Sequence, residues 1–277
     1  DVLGGTGNVG LGSGAFGTGL TTGTDNVAIG ENAGDALTTG SRNTFIGDNA
    51  GGATTTADNN IAIGADALLV NSTGASNIAI GKSALDANTT GNNNTGVGTL
   101  ALSSNTTGGD NTAVGREALE ANTTGASNTA LGYLALTANT TAASNVSIGA
   151  DSMTTNTTGA ENVAVGASAL YTNATTSYNV AIGAGALYTN AAASNTGVGY
   201  HALFANTTGA DNVAVGKNAL LSNTTASNNI AIGAESMDAN TTGTQNTAVG
   251  KSSLGANTTG NYNVAFGAYS LDANTTA

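Results

Sequence analysis

The chain has 277 residues, of which 41 are Gly, and it contains no Pro, Cys or Trp. Charged residues make up 8% and give a net charge of −12, so we predict no nucleic-acid partner and no attraction to anionic membranes. The lack of Cys excludes disulfides, thiolate chemistry and Cys-ligated zinc. No run of about 18 apolar residues occurs, so no membrane insertion is predicted for this segment. Because the sequence starts without Met and stops within a repeat, we expect it to be a piece of a longer protein.

A short tract, Asn-(Val/Ile/Thr)-Ala-(Ile/Val)-Gly, recurs every 17 residues and organises the whole sequence. Residues 1–25 form a degenerate, Gly-rich first repeat, and residues 26–277 form the tandem repeats. One residue is missing within the stretch 191–194, which we therefore place in a surface loop. Periods of this length are typical of solenoids. The tracts begin at Asn26, Asn43, Asn60, Asn77, Asn94, Asn111, Asn128, Asn145, Asn162, Asn179, Asn195, Asn212, Asn229, Asn246 and Asn263.

Each tract alternates a β-branched, a small and a second β-branched residue, a pattern that predicts a short strand. The Gly that follows, such as Gly30, closes the strand where positive φ or close backbone approach is needed. The small residue, with Phe45 as the exception, predicts a face packed against other backbone. A second strand is predicted over residues 84–87 and their equivalents. Large apolar residues predict two buried columns, one at Ile29, Ile63, Val97, Leu131, Val165, Ile232 and Phe266, the other at Leu68, Leu85, Leu119, Met153, Leu187, Met237 and Leu271.

Together these elements predict an all-β fold, a β-solenoid or β-roll of about fifteen 17-residue coils. Strands in successive coils would stack at about 4.8 Å, giving a rod of roughly 70 Å. Asn side chains in corresponding positions would then form hydrogen-bonded ladders along the axis. The alternative for the Asn-Thr-Thr tracts is N-glycosylation, since they match the acceptor sequence. The two ladders would include Asn26, Asn43 and Asn60 in one column and Asn88, Asn105 and Asn122 in the other.

The core of one coil is small, and this predicts self-association. Two or three large apolar side chains contribute about 1.5–3 kcal/mol each. Ordering 17 residues of backbone costs about 1–2 kcal/mol per residue. With small-residue faces left over, close packing against identical chains completes the structure, so we expect a homotrimeric fibre.

The tracts at residues 111–115 and 162–166 resemble the head repeats of trimeric autotransporter adhesins. The whole unit, as in residues 246–260, resembles more closely the repeats of phage tail fibres and related adhesive fibres that end in a self-cleaving chaperone domain. The resemblance covers about residues 26–277. It implies a trimeric, left-handed β-roll in an extracellular, cell-surface or virion appendage. Autotransporter coils are shorter, so their inward and outward positions need not carry over.

No catalytic, cofactor-binding or metal-binding residues are predicted, and we expect no enzyme activity. Residues 12–17 match G-x-G-x-x-G, but no helix pattern follows and the surroundings are Gly-rich. The Gly-Lys-Ser tracts at residues 81–83 and 250–252 lack a Gly at the spacing that a phosphate-binding loop requires. His201, the only histidine, falls at a variable position after a Gly corner and is predicted to be exposed.

Two functions remain from the sequence. The first is a structural and adhesive fibre shaft, whose partners would be copies of itself and a cell-surface glycan or host receptor. Tyr171, Tyr188, Phe204 and Leu221 replace polar or small residues in four successive coils, and they predict an exposed adhesive stripe roughly 15 Å long. The alternative is an ice-binding β-solenoid. The adjacent pair Thr89–Thr90 disfavours it, because neighbouring residues of an extended segment point to opposite faces.

Overall fold

The computed structural model describes residues 6–276, where the regular secondary structure consists of three-residue strands without a helix. The chain divides into two compact units, residues 1–143 and 144–277. The predicted all-β solenoid of about fifteen coils is confirmed. The first unit contains β1 (Val9–Leu11), β2 (Val27–Ile29), β3 (Thr44–Ile46), β4 (Ile61–Ile63), β5 (Ile78–Ile80), β6 (Thr95–Val97), β7 (Thr112–Val114) and β8 (Thr129–Leu131). The second contains β9 (Val146–Ile148), β10 (Val163–Val165), β11 (Val180–Ile182), β12 (Thr196–Val198), β13 (Val213–Val215), β14 (Ile230–Ile232), β15 (Thr247–Val249) and β16 (Val264–Phe266).

Within each unit the strands form a parallel sheet, and each strand pairs in register with the next along the chain. In the second unit, for example, Val163 lies opposite Val180, and Ala164 lies opposite Ala181. The register passes the shortened repeat without a slip, since Val180 lies opposite Thr196. One repeat therefore makes one coil, and equivalent residues fall into columns.

Glycines close the strands as predicted, for both of the reasons considered. Gly98 has φ 136°, a region that favours glycine. A Cβ built on it would lie 2.5 Å from the carbonyl O of Gly115 in the next coil. The corner therefore requires both the conformation and the missing side chain.

One prediction about the core is wrong, because the inward and outward positions of the strands are the opposite of those expected. The small central residue points inward, and Ala79, Ala113 and Ala214 are 0% exposed. The large residue that follows it points outward, and its predicted burial is wrong. A three-residue strand has one inward side chain, and a Cβ at the inward position of Gly96 would lie 3.4 Å from Leu85 Cγ, which leaves room only for a small residue. The outward column is half-buried at Ile63, Val97 and Val165 and exposed at Ile29, Leu131, Ile232 and Phe266.

The Leu and Met column forms the core as predicted. Its members are fully buried at positions 68, 85, 119, 153, 187 and 237, whereas Leu271 is 49% exposed. The second strand predicted over residues 84–87 is wrong, because this segment is a chain of turns. Ser83 and Leu85 have φ 53° and 52°, so left-handed residues alternate with ordinary ones. Their amides point in opposite directions along the axis, to Ala65 O and Ala101 O.

Phe45 is accommodated by a compensating exchange in its own coil. Gly51 stands where later coils place the core Leu, and a Cβ on it would lie 2.6 Å from the Phe45 ring. The large side chain has moved from the turn to the strand, and Phe45 is fully buried. Such an exchange conserves core volume, which cores tolerate well.

Both predicted Asn ladders are present. In the first, the backbone N–H of Asn212 donates to Asn195 Oδ1 at 3.0 Å. In the second, Asn223 Nδ2 donates to Asn206 Oδ1 at 2.8 Å and to Ala226 O at 3.0 Å. The Asn residues of the Asn-Thr-Thr tracts are fully buried at positions 88, 105 and 122, so in the folded unit they are inaccessible to a glycosylating enzyme.

Candidate functional site

The predicted stripe is a column of stacked rings in the second unit. The ring centroids of Tyr171 and Tyr188 are 5.0 Å apart, with planes 3° from parallel. Tyr188 and Phe204 follow at 5.1 Å and 15°. The three rings occupy equivalent positions in successive coils, so the coil spacing itself sets the stack. Leu221 continues the column in the next coil, and all four side chains are half-buried.

Stacking determines what the stripe can offer a ligand. Both faces of the Tyr188 ring lie against other rings, and Tyr171 and Phe204 each have one face against Tyr188. The exposed part of the column therefore consists mainly of ring edges and the two phenol hydroxyls. Edges and hydroxyls suit hydrogen bonding and lateral contact, whereas flat stacking on a sugar ring requires an open aromatic face.

Two residues that the sequence analysis did not assign to the stripe extend it sideways. The His201 ring lies 4.5 Å from the Phe204 ring and 3.8 Å from the Tyr200 ring. The prediction that His201 is exposed is wrong, because it is half-buried between these rings, whereas Tyr200 is 51% exposed. Gly185 makes room for the imidazole, since a Cβ there would lie 2.7 Å from His201 Cδ2. The signal in the sequence was a Gly one coil before the only His.

A second surface is the outward face of the strands, which we call the strand face. In each strand the first and third residues point outward, and in β1–β16 these positions hold only Val, Ile, Leu, Thr or Phe. In the second unit Ile182 and Ile232 are each 40% exposed and Ile230 is 39% exposed. An uncharged apolar strip along a regular sheet is typical of an interaction surface. The strand face was not predicted from the sequence, because the pattern of large apolar residues assigned the third residue of each strand to the core.

Charged groups lie beside these surfaces as isolated side chains or pairs. Burial raises the pKa of Asp238 above its usual value of 3.8, and repulsion from Glu235 acts in the same direction. Burial likewise raises the pKa of Asp86. Arg116 lies 5.6 Å from the centroid of the Tyr133 ring, a cation–π contact between neighbouring coils. These groups adjust the surface charge of the solenoid.

The remaining motifs fall on turns. Residues 12–17 and 81–83 are turns rather than strand-to-helix loops. Within residues 6–276, no cluster of three or more His, Asp or Glu side chains is placed to hold a metal ion. The described part of the chain also contains no helix long and apolar enough to cross a membrane. No model of a known protein family matches this chain, and no curated protein matches it.

Proposed function

We propose that this chain is the shaft of an adhesive fibre, displayed outside the cell or on a virion, and that three copies pack together through the strand face. The observation that carries the proposal is the uncharged, half-exposed strip of β-branched residues on regularly stacked strands. The resemblance of the repeat to those of fibre adhesins supports the same conclusion.

The strand face, and not a face of small residues, is the surface through which we expect the trimer to form. The small residues, which the sequence predicts to be packing faces between chains, are fully buried inside their own coil. The outward residues now supply the apolar surface. Burying the rest of one such Val or Ile contributes about 1 kcal/mol. Two outward residues per strand over the eight strands of a unit give on the order of 10 kcal/mol, comparable with the cost of about 4–15 kcal/mol for association.

Sedimentation analysis of the full chain tests this assembly. We expect a trimer for the natural sequence and a smaller species for the double variant Val198→Asp and Val215→Asp, which places charges on the strand face. Both side chains are partly solvent-exposed in the single chain, so the coils should still fold, with an unchanged β-sheet circular dichroism spectrum. Thr225→Asp, at an exposed loop position, is the matched control. A folded monomer for the natural sequence would refute the trimer.

Adhesion is proposed at the aromatic stripe, through its ring edges and hydroxyls. The double variant Tyr171→Phe and Tyr188→Phe removes both hydroxyls and keeps the stack. We expect it to lose binding to immobilised cell-surface glycans while remaining assembled and folded. Unchanged binding on the same glycan array would contradict an adhesive role for these hydroxyls.

Ice binding is the second candidate, and one observation now favours it. The strand face carries two parallel columns of uncharged residues, repeating at about 4.8 Å along the axis and about 6.6 Å along each strand. Such regularity suits ordered water, and six outward positions hold Thr rather than Val or Ile, namely Thr44, Thr95, Thr112, Thr129, Thr196 and Thr247. Thermal hysteresis at micromolar protein, lost in the Val198→Asp and Val215→Asp variant, would support this function. A shaft with its strand faces buried in a trimer should show none.

A further inference from the structure

The aromatic stripe coincides with an irregularity in the coils of the second unit. The step from Asn179 to Asn195 is 16 residues, whereas the step from Asn162 to Asn179 is 17. In the coil before the deletion, Thr176 occupies the place where Gly159 stands one coil earlier. We call the step between the coil of residues 162–178 and that of 179–194 the seam.

The second Asn ladder is stretched at the seam. Asn190 Nδ2 lies 3.5 Å from Asn173 Oδ1, whereas the next step, from Asn206 to Asn190, measures 2.8 Å. The first ladder keeps its backbone bond here, since the Asn179 backbone N–H donates to Asn162 Oδ1 at 2.9 Å, but the Asn179 side-chain amide donates to Thr176 Oγ1, three residues earlier in the sequence. The side-chain amides of most other Asn residues in this ladder donate instead to the carbonyl 14 residues later in the sequence, as Asn162 Nδ2 does to Thr176 O at 2.9 Å. The second ladder is therefore longer at the seam than at the steps on either side, and a hydroxyl bond from Thr176 Oγ1 to Ala192 O, at 3.1 Å, crosses the seam beside it.

Backbone hydrogen bonds are also missing at the seam. One step earlier, the amides of Thr157 and Thr158 both donate to Ala174 O, at 2.8 and 3.3 Å. In the described structure, the amides of Ala174 and Thr175 make no corresponding bond across the seam. Their equivalent acceptor would be the carbonyl O of Ala191, which begins the shortened loop.

The ring stack crosses this same step. Tyr171 belongs to the coil before the seam and Tyr188 to the coil after it, and this pair is the more nearly parallel of the two, at 3°. Phe204 extends the stack into the following coil. An aromatic pair of this geometry contributes stabilisation beyond the area that it buries.

Three threonines add hydroxyl bonds beside the rings. Thr155 Oγ1 donates to Tyr171 O at 2.7 Å, Thr172 Oγ1 to Tyr188 O at 3.0 Å and Thr189 Oγ1 to Phe204 O at 2.9 Å. Each hydroxyl thus holds the backbone of a ring residue in the next coil. Most other coils have Ala at this position, as at Ala87, Ala121, Ala138, Ala205, Ala239 and Ala256.

We propose that the ring stack and these threonines are a splint, which holds together a seam weakened by the shortened coil. The rings and hydroxyls lie in turns where the repeat keeps its regular spacing. These turns directly precede the loop that is shortened at residues 191–194. Aromatic residues therefore fill a normally polar or small column in the coils beside the deletion. This role is independent of adhesion and of the oligomeric state.

Native-state hydrogen exchange on the full-length protein tests the splint. Tyr188→Leu removes both ring pairs but keeps an apolar side chain, and it should speed exchange of the seam amides, such as those of Leu170 and Thr172, which donate to Ala186 O and Tyr188 O, about 10-fold or more. Amides of residues 229–250 should be unaffected. Tyr188→Phe keeps the stack and should behave like the natural protein, and Leu221→Ala, in the same column outside the ring stack, is the matched control.

A repaired coil makes the test specific. Replacing residues 191–194 with Thr-Thr-Gly-Ala-Ser restores the 17-residue spacing and the regular sequence of this loop. In that background Tyr188→Leu should speed exchange of the seam amides by less than about 3-fold. On a logarithmic scale this is half or less of its effect in the natural protein. An equal effect in both backgrounds would overturn the proposal, because the rings would then stabilise any coil alike. No effect of Tyr188→Leu in the natural background would overturn it as well.

Discussion

Removal of one ladder amide tests how much of the stability the Asn columns carry. Asn223 is fully buried. Its Nδ2 donates to Asn206 Oδ1 and Ala226 O, and its Oδ1 accepts from Asn240 Nδ2. Asn223→Ala removes all three bonds, at about 1 kcal/mol each, and leaves the Asn206 Oδ1 without this donor in a buried position. We expect a loss of about 3–5 kcal/mol.

Because the chain is a long stack of repeats, the assay for this substitution should report on individual coils. A stack of repeats need not unfold in one step, so hydrogen exchange of amides in the coils around Asn223 is preferable to a single melting curve. Thr225→Ala, two residues away and exposed, is the control and should cost less than about 0.5 kcal/mol. A loss for Asn223→Ala as small as that of the control would show that water or neighbouring amides replace the ladder, and would refute the reasoning.

Three further substitutions test other parts of the fold. Gly199→Ala places a Cβ 2.5 Å from Gly216 O at φ 135° and should destabilise by more than about 3 kcal/mol, whereas Gly255→Ala, at an ordinary φ, should be nearly neutral in denaturant titration. Leu203→Ala empties a fully buried core position and should cost about 2–5 kcal/mol by hydrogen exchange. Burial raises the folded-state pKa of Asp238, so its ionisation opposes folding: the contribution of Asp238 to stability is fully present below pH 3.8 and is lost as pH rises through its folded-state pKa. Asp238→Asn should abolish that loss, and a pH titration of stability unchanged by it would contradict this assignment.

Much of the fold could be predicted because the repeat imposes its own geometry. Once each 17-residue unit is one coil, identical residues must stack, and buried Asn columns must satisfy one another. Asn88 and Asn105 do so at 2.9 Å. The corner glycines follow from the same stacking, since neighbouring coils bring their backbones together at every strand end. These predictions required only the period and the chemistry of the repeated residue.

The direction of the strand side chains could not be read from the repeat. In a strand of three residues, alternation separates two faces but does not show which is inward. The choice depends on the partner across the coil, and Leu85 fills that space so completely that only a small residue fits opposite, at Gly96. Leu85 reaches this place through a left-handed backbone, which is uncommon for Leu and carries no sequence signal. The strand face, and with it the proposed assembly surface, was missed for this reason.

The left-handed residues also explain why these coils depend on one another. A residue other than Gly at positive φ costs about 1–2 kcal/mol, and the coil of residues 77–93 contains Ser83, Leu85 and Asn93 in that conformation. The amides of all three donate to carbonyls in adjacent coils, at 2.9, 3.0 and 3.1 Å. An isolated coil would carry the strain without these bonds, so the conformation is stable only within a stack. A step that lacks backbone bonds between its coils, as beside the shortened loop, therefore depends more on contacts of another kind, and stacked rings at the coil spacing are one that the solenoid geometry supplies.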